Sequence, residues 1–174
     1  MRIKTKGKRV FIGSDPHFGT ESFYKFSQKH QHVLRPEFPD AATGDAAIVA
    51  RHNAIVPATD SVFFMLGDLA SSNKALETYL PQMNGETKVL IMGNHDLQLS
   101  RALLDAHFKY VLPMAFLKGE TYILTHVPIH PSELRGKYNW HGHTHRSSIS
   151  EPGYRSFCYE VNNYSPVEVT ALVN

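Results

Sequence analysis

The chain has 174 residues, which suits one domain over residues 1–174, and its 42% hydrophobic content is enough to build a buried core. Its net charge of +2 gives no strong electrostatic reason to expect nucleic acid or a membrane surface as the main partner. A single cysteine, Cys158, excludes an internal disulfide and a thiolate zinc site, and it is typical of a reducing compartment. No stretch has the length of a signal-peptide apolar region or of a membrane-spanning helix, so we expect a soluble, cytoplasmic protein.

The first two thirds of the sequence alternate between apolar runs and helical patterns. Short apolar runs typical of buried strands lie at residues 9–14, 62–66 and 88–92. Helical patterns lie at residues 21–31, 46–56, 71–83 and 99–107. Asp45 is the expected N-cap of the second helix, and residues 32–45 form a long loop before it. This alternation predicts an α/β protein with parallel strands and right-handed crossovers.

The remaining residues predict short strands and one stiff loop. Strands are expected at residues 110–117, 121–124, 157–161 and 167–172. The first two flank Lys118-Gly119-Glu120, which is typical of a hairpin turn. Prolines make residues 126–135 a loop rather than a helix.

Polar residues of the kinds that bind metal ions follow five segments, of which four are predicted strands and the fifth is Asn139-Trp140. They are Asp15 with His17, Asp68, Asn94 with His95, His126, and His143 with His145. In an open α/β sheet, ligands bind beyond the carboxyl ends of the strands. Residues two apart on an extended chain project to the same side, so Asp15 and His17 can reach one ion. A lone buried carboxylate is costly unless a cation or donors meet it, so Asp68 is either a metal ligand or a helix cap.

The chemistry of this residue set predicts hydrolysis of a phosphate ester. Oxygen and imidazole ligands without thiolate suit Mn, Fe, Zn, Ni or Co rather than a structural zinc finger. Seven of these eight residues as ligands are too many for one ion and fit two ions that share a bridging carboxylate. Two such ions, roughly 3.5–4 Å apart, hold a hydroxide nucleophile between them and bind the phosphoryl oxygens. A nearby histidine that is not a ligand then protonates the leaving oxygen.

The ordered set of motifs resembles that of a known superfamily. The matching segments are Asp15-Pro16-His17, Gly67-Asp68, Gly93-Asn94-His95-Asp96, His126 and Gly142-His143-Thr144-His145. They are similar to the motif series of the calcineurin-like metallophosphoesterases and stand in the same order. Further segments resemble a small single-domain branch of bacteria and their phages, namely Arg35-Pro36-Glu37-Phe38, the region of Asn53, His126-Val127-Pro128 and Tyr164-Ser165-Pro166-Val167.

The resemblance implies the metallophosphatase fold, a four-layer α-β-β-α sandwich of two mixed sheets flanked by helices. It implies two divalent transition metal ions, with manganese expected first and Fe, Zn, Ni or Co as alternatives. By motif position, Asp15, His17 and His145 would bind one ion, Asn94, His126 and His143 would bind the other, and Asp68 would bridge them. His95 would be the general acid or phosphate-orienting group, and it is the predicted catalytic residue.

One departure from the family pattern bears on the substrate. Family members that act on phosphoproteins carry an arginine shortly after the Gly-Asp motif, whereas Leu69-Ala70-Ser71-Ser72 follow it here. Without that arginine, the site lacks a clamp for a dianionic monoester, which favours a small nucleotide-like phosphodiester as the substrate. Arg146 or Arg135 can substitute for the missing arginine. Other candidate substrate contacts are His130, which alternatively supports a ligand, and Trp140, which alternatively packs in the core.

Rival functions stay open at this point. The same site would serve a phosphomonoesterase or a nuclease, although a nuclease is disfavoured because the chain has no basic tract. A non-catalytic metal-binding scaffold or interaction module of the same fold is expected to have lost His95 or several ligands, and all are present here. The sequence gives no indication of the oligomeric state.

Overall fold

The computed structural model describes residues 3, 5–25 and 33–174, and within them the chain forms two mixed sheets and four α-helices. The strands are β1 (Arg9–Gly13), β2 (Ser61–Met65), β3 (Thr87–Ile91), β4 (Tyr110–Leu112), β5 (Ala115–Leu117), β6 (Tyr122–Leu124), β7 (Tyr138–His141), β8 (Tyr154–Ser156) and β9 (Val167–Glu168). The helices are α1 (Ala41–Ile55), α2 (Asn73–Tyr79), α3 (Arg101–His107) and α4 (Thr170–Val173). The chain is therefore an α/β protein, as its alternating pattern predicts.

The first sheet has the strand order β4-β3-β2-β1-β9. Strands β1 to β4 are parallel, and each of the helices α1, α2 and α3 connects one of them to the next. Strand β9 closes the edge in the antiparallel direction. The predicted parallel pairing is therefore confirmed, and the carboxyl ends of β1, β2 and β3 share one edge of the sheet.

Two apolar cores lie on the two faces of the first sheet, because side chains alternate along each strand. Phe11 and Phe63 face helices α1, α2 and α3. Ile12 and Phe64 face the second sheet, where Trp140 belongs to the same core. The described residues thus form a layer of helices, a first sheet and a second sheet.

The second sheet has the order β5-β6-β7-β8, and its first two strands form the predicted hairpin around residues 118–120. The predicted strand 110–117 is divided, because β4 belongs to the first sheet and β5 to the second. In the described part of the chain, a loop rather than a helix covers the outer face of the second sheet. The Tyr154 hydroxyl donates to the Ile129 carbonyl of this loop at 2.7 Å, and the only regular turn in the loop is Pro131–Glu133. The expected fourth layer is therefore irregular chain, not helix.

Helix α1 begins earlier than predicted because Asp40, not Asp45, is its N-cap. The Asp40 carboxylate accepts a hydrogen bond from the Thr43 N–H at 2.8 Å, which satisfies a free donor of the first turn. Asp45 lies fully buried within the helix, where it accepts from the Gly19 N–H and the Tyr24 hydroxyl.

The other helix predictions differ from the structure mainly at the ends. Helices α2 and α3 lie inside the predicted ranges 71–83 and 99–107. The predicted helix 21–31 shows a 3-10 turn at Glu21–Phe23, and its residues 26–31 lie outside the described residues. None of the described helices is both long enough and apolar enough to cross a membrane.

The C-terminal segment is less extended than predicted. The range 157–161 contains only an isolated bridge between Ser14 and Cys158, followed by the 3-10 turn Tyr159–Val161. In the range 167–172 only β9 is extended, because helix α4 follows it directly. The bridge is useful for the site, since it holds the buried Cys158 beside the loop that follows β1.

Candidate metal centre

The loops that follow β1 and β2 run side by side and are joined by main-chain hydrogen bonds. The Asp15 N–H donates to the Gly67 carbonyl at 3.0 Å, and the His17 N–H donates to the Asp68 carbonyl at 3.1 Å. These bonds satisfy the backbone just beyond the sheet edge and bring three of the predicted ligands into one place.

The backbone at these ligands is strained. Five of the seven predicted ligands have φ between +47° and +69°, and they are Asp15, His17, Asp68, His143 and His145. The expectation that Asp15 and His17 lie on extended chain is therefore wrong, although both still reach one ligand group. Left-handed backbone in residues other than glycine costs about 1–3 kcal/mol each and persists where the surrounding structure enforces it, often at functional sites.

Asp15, His17 and His145 form the first group, and the atoms that they offer to an ion lie within 4.8 Å of one another. The Oδ2 atom of Asp15 accepts hydrogen bonds from the Ser14 hydroxyl, the His143 N–H and the Cys158 thiol. Its Oδ1 atom has no hydrogen-bond partner, and neither has Nε2 of His17. Buried polar atoms are almost always paired, so these two unpaired atoms fit a bound cation as their partner.

Asp68, His126 and His143 form the second group, with Asn94 beside it. Nδ1 of His126 donates to the Leu66 carbonyl at 2.7 Å, so Nε2 of the neutral ring carries a lone pair. That Nε2 lies 3.0 Å from Asn94 Oδ1, 3.2 Å from His143 Nδ1 and 3.3 Å from Asp68 Oδ2. When the His126 ring is neutral, its Nε2 lone pair and the ligand atoms around it fit a metal ion.

Asp68 lies between the two groups. Its Oδ2 atom is 3.3 Å from Nε2 of His17 in the first group and 3.3 Å from Nε2 of His126 in the second. The structure therefore brings the seven predicted ligands together, and their donor atoms suit divalent transition metals. The arrangement has room for two ions that share one carboxylate.

The charges around this site favour a cation. Burial lowers the pKa of His17, but the carboxylates of Asp15 and Asp68 outweigh it and raise the pKa to about 9. Burial acts to raise the pKa of Asp68, yet the imidazoles of His126 and His17 hold it well below its usual range. Burial and the neighbouring His126 lower the pKa of His143, which keeps its imidazole neutral and able to bind a metal.

His95 stands beside both groups and is exposed. Its N–H donates to Asp68 Oδ1 at 2.9 Å, and its ring centroid is 5.2 Å from that of His17. A histidine at this place can contact a substrate that is bound at the centre.

Asp96 was open to two interpretations from the sequence, a turn residue or a partner of the site. It is fully buried and accepts from three main-chain N–H groups, those of Asp68 at 3.0 Å, Leu69 at 2.8 Å and Gly93 at 2.8 Å. Asp96 therefore fixes the turn that carries Asp68, so the two interpretations are both correct.

Gly93 and Gly142 are required because another loop of the site lies too close to leave space for a side chain at either position. A Cβ atom at Gly93 would meet the carboxylate of Asp68, and one at Gly142 would meet Ser14 and the carboxylate of Asp15. Each glycine therefore lets a neighbouring loop lie directly against a candidate ligand.

The three candidate substrate contacts differ in their exposure and in their hydrogen-bond partners. Arg146 lines a cleft of about 310 Å³ beside His145, but its guanidinium pairs with Glu37. His130 is exposed and caps the turn Pro131–Glu133. Trp140 is 3% exposed and stacks on Tyr122 within the core, so the packing alternative is correct and it cannot stack on a base.

Sequence reasoning gave no role to Arg35 and Glu160, which form a buried ion pair at 2.7 Å beside the first group. Oε2 of Glu160 lies 3.4 Å from Nδ1 of His145. Two features of the sequence point to this pair. Glu160 is a charged residue within the apolar run 157–161, and Arg35 precedes a proline in a polar loop.

Comparisons with known proteins bear on the fold alone. No protein-family model matches the chain, and no curated protein matches it significantly. The crystal structure of the protein of unknown function AQ665 from Aquifex aeolicus matches over 92% of this chain and 95% of that chain, with a TM-score of 0.62 and 18% identity. The crystal structure of Pseudomonas putida nuclease MPE matches over 78% of this chain and 61% of that chain, with a TM-score of 0.48 and 19% identity. The first match shows a shared fold, and the second is too weak to carry an argument.

Proposed function

We propose that the protein is a dinuclear metal-dependent phosphoester hydrolase of the calcineurin-like type, and that it prefers phosphodiesters. The observation that carries this proposal is the position of Asp68 Oδ2, 3.3 Å from one imidazole nitrogen of each ligand group. A carboxylate oxygen between two sets of unpaired ligand atoms is the arrangement expected of a bridging ligand.

Each residue then has a defined task. The first group would hold one ion, the second group together with Asn94 would hold the other, and Asp68 would contact both. Bound divalent ions supply Lewis-acid stabilisation of the phosphoryl charge and activate water. His95 donates a proton to the leaving oxygen or a hydrogen bond to the phosphoryl group, since it is exposed beside the centre and is not among the ligands.

The arginines around the centre support a diester substrate. A dianionic monoester is best held by a free guanidinium, which binds two of its oxygens at once. Arg146 is already bound to Glu37 through two contacts of 2.6 Å and 2.8 Å. Arg135 pairs with Glu133 at 3.2 Å in an exposed position. Both guanidinium groups are engaged in ion pairs in this structure, which favours a substrate that needs no such clamp.

Clefts on both sides of the centre also support a diester, which carries two substituents. One cleft of about 310 Å³ lies beside His145 and is lined by Phe23, Leu34 and Ser147, among others. The other, of about 440 Å³, begins at Asn94 and is lined by Leu97 and Pro113, among others. The proposed substrate is a small nucleotide-like phosphodiester with one substituent in each cleft.

The test is hydrolysis of bis-p-nitrophenyl phosphate beside p-nitrophenyl phosphate, with Mn²⁺ and then with EDTA. We expect diester cleavage that requires Mn²⁺ and falls about 10²–10⁴-fold in His95→Ala, which removes the proton donor. His107→Ala, on helix α3, is the matched control and should retain wild-type activity.

Three results would count against the proposal in different ways. A preference for the monoester would leave the centre in place and overturn the substrate class. Unchanged activity in His95→Ala would remove that residue from catalysis. No cleavage of either ester, by protein shown to hold two ions, would favour the metal-binding scaffold.

A further inference from the structure

Arg35 is a fully buried arginine whose five N–H donors all have partners. Its Nε atom donates to Glu160 Oε1 at 2.8 Å, and Nη2 lies 2.7 Å from the same oxygen. Nη1 donates to the Pro16 carbonyl at 2.7 Å and to the Tyr24 hydroxyl at 2.9 Å, and Nη2 donates to the Asp15 carbonyl at 2.7 Å. The guanidinium has no donor left for a substrate, so its role lies in what it holds.

Arg35 holds the turn that presents the first two ligands. The two carbonyls that it binds belong to the peptide groups between Asp15 and His17. Both ligands have left-handed backbone, with φ of +60° and +47°. Such a conformation persists only where neighbouring groups enforce it. The rigid fork of the guanidinium fixes both peptide planes and therefore the directions of both side chains.

Glu160 connects Arg35 to the third ligand. Its Oε1 atom accepts from Arg35, whereas Oε2 has no hydrogen-bond partner and faces Nδ1 of His145 at 3.4 Å. A carboxylate at one imidazole nitrogen orients the ring and leaves the other nitrogen for a metal ion. The Arg35–Glu160 pair therefore reaches all three members of the first group.

The second group is held by other contacts. The Leu66 carbonyl orients His126, and the His95 N–H orients Asp68. Among the described residues, neither Arg35 nor Glu160 has a hydrogen bond or an ion pair with a member of the second group. The effect of the buried pair should therefore be confined to one side of the centre.

We propose that Arg35 and Glu160 are positioning residues that set the metal affinity of the first group without setting that of the second. This inference rests on the proposed dinuclear centre. The competing explanation is that the pair only stabilises the fold. In that case its loss would weaken the whole protein and would not separate the two ions.

The test is a Mn²⁺ titration of Glu160→Gln followed by electron paramagnetic resonance. The amide keeps the size of the side chain and an acceptor for Arg35, but it removes the charge that faces His145. Wild type should bind two ions and show the signal of a spin-coupled pair. In the variant, one ion should bind as in wild type and the other about 10–100-fold more weakly, which is typical for loss of an outer carboxylate. At low Mn²⁺ the variant should therefore show the signal of an isolated ion.

If Glu160→Gln does not fold, the same titration is done with Glu160→Asp. Aspartate keeps a negative charge opposite Arg35 and withdraws the carboxylate from His145 by one methylene, so a smaller but still selective loss is expected. Asp45→Asn is the matched control, because Asp45 is another buried carboxylate and is linked to Arg35 only through Tyr24. This control should bind both ions with wild-type affinity.

The outcomes separate this inference from the proposed function. Wild-type protein that binds no Mn²⁺ would overturn both. Wild type that binds two ions, with Glu160 variants that keep both or lose both equally, would overturn the positioning role and leave the proposed function standing.

Discussion

The first ligand group is backed by the buried Arg35–Glu160 ion pair, whereas the second is backed by a separate set of main-chain and carboxylate contacts. Arg35 and Glu160 reach every member of the first group through the contacts described above. In the second group the Leu66 carbonyl and the His95 N–H act together with two carboxylates, since Asp96 accepts from the Asp68 N–H and Asp15 accepts from the His143 N–H. The two sides also differ in exposure, because Asp15 and His17 are buried while Asn94 and His143 are exposed.

This difference suggests a division of labour within one centre. A network of buried charges is well suited to fix the positions of ligands. Each buried charge would lose its stabilising hydrogen bonds and ion pairs if a partner moved. In the second group Asp68 and His126 are buried, but His143 and the neighbouring Asn94 are exposed and leave space for a substrate to approach. The first group is thus the anchored side and the second is the open side, and the following predictions test that contrast.

The largest effect is expected for Asp68→Asn, because Asp68 belongs to both sides. The amide keeps one oxygen but has no charge, so it is a much weaker ligand between His17 and His126. We expect diester cleavage to fall about a thousandfold or more, since several kcal/mol of charge stabilisation is lost. Steady-state kinetics and metal analysis measure this. Retention of two ions and near-normal activity would show that Asp68 is not a bridge.

The next effect is expected for Gly142→Ala, which acts on the anchored side. The added Cβ atom would meet Ser14 and the Asp15 carboxylate, so the first group must shift. We expect about a hundredfold loss of activity, as a displacement of about 1 Å produces in other sites. Gly119→Ala is the control, because its φ is +61° but no atom lies within 4 Å of the new Cβ. It should cost about 1–2 kcal/mol of stability and leave activity unchanged.

The third prediction uses pH on the metal-free protein. The pKa of His17 is raised from 6.5 to about 9, so its contribution to stability is complete below pH 6.5 and is lost as pH rises through 9. Urea unfolding in EDTA should therefore show stability falling by up to about 3 kcal/mol across that window. His17→Gln should reduce this slope, and the remaining slope is expected from His126, whose pKa is also raised because the effect of burial is outweighed by the carboxylates of Asp68 and Asp15.

His143→Gln is the comparison for the open side. The pKa of His143 is lowered, so this residue is already neutral above pH 6.5 in both the folded and the unfolded state. Its replacement should leave the slope above pH 6.5 intact. Equal slopes for wild type and His17→Gln would contradict the assignment of the raised pKa to His17.

The smallest effect is expected for Arg146→Gln. Arg146 is exposed and paired with Glu37, and exposed pairs of this kind contribute about 0–1 kcal/mol. We expect the KM for the diester to change by less than about threefold, which is about 0.7 kcal/mol. A much larger rise in KM would mean that Arg146 leaves Glu37 and binds the substrate.

The sequence predicts much of the site because ligand position follows from buried strands. The runs that became β1, β2 and β3 are apolar and short, so their ends can be located to within a residue or two. Asp15, Asp68 and Asn94 follow those ends at one edge of a parallel sheet. That placement requires only side-chain periodicity and strand order, and both can be read from the sequence.

Other features depend on tertiary contacts that no local pattern contains. The left-handed backbone at Asp15 and His17 is maintained by Arg35, which is twenty residues away from Asp15. The N-cap of α1 is Asp40 because Asp45 has buried partners in another segment. A charged residue in a loop is usually interpreted as exposed, so Arg35 was not expected at the centre of a buried network.

Anomalous X-ray diffraction of crystals grown with Mn²⁺ tests the central claim most directly. The proposed centre predicts two manganese peaks roughly 3.5–4 Å apart, one at each ligand group, with Asp68 in contact with both. A single peak, or two peaks that do not share Asp68, would contradict a dinuclear centre bridged by that carboxylate.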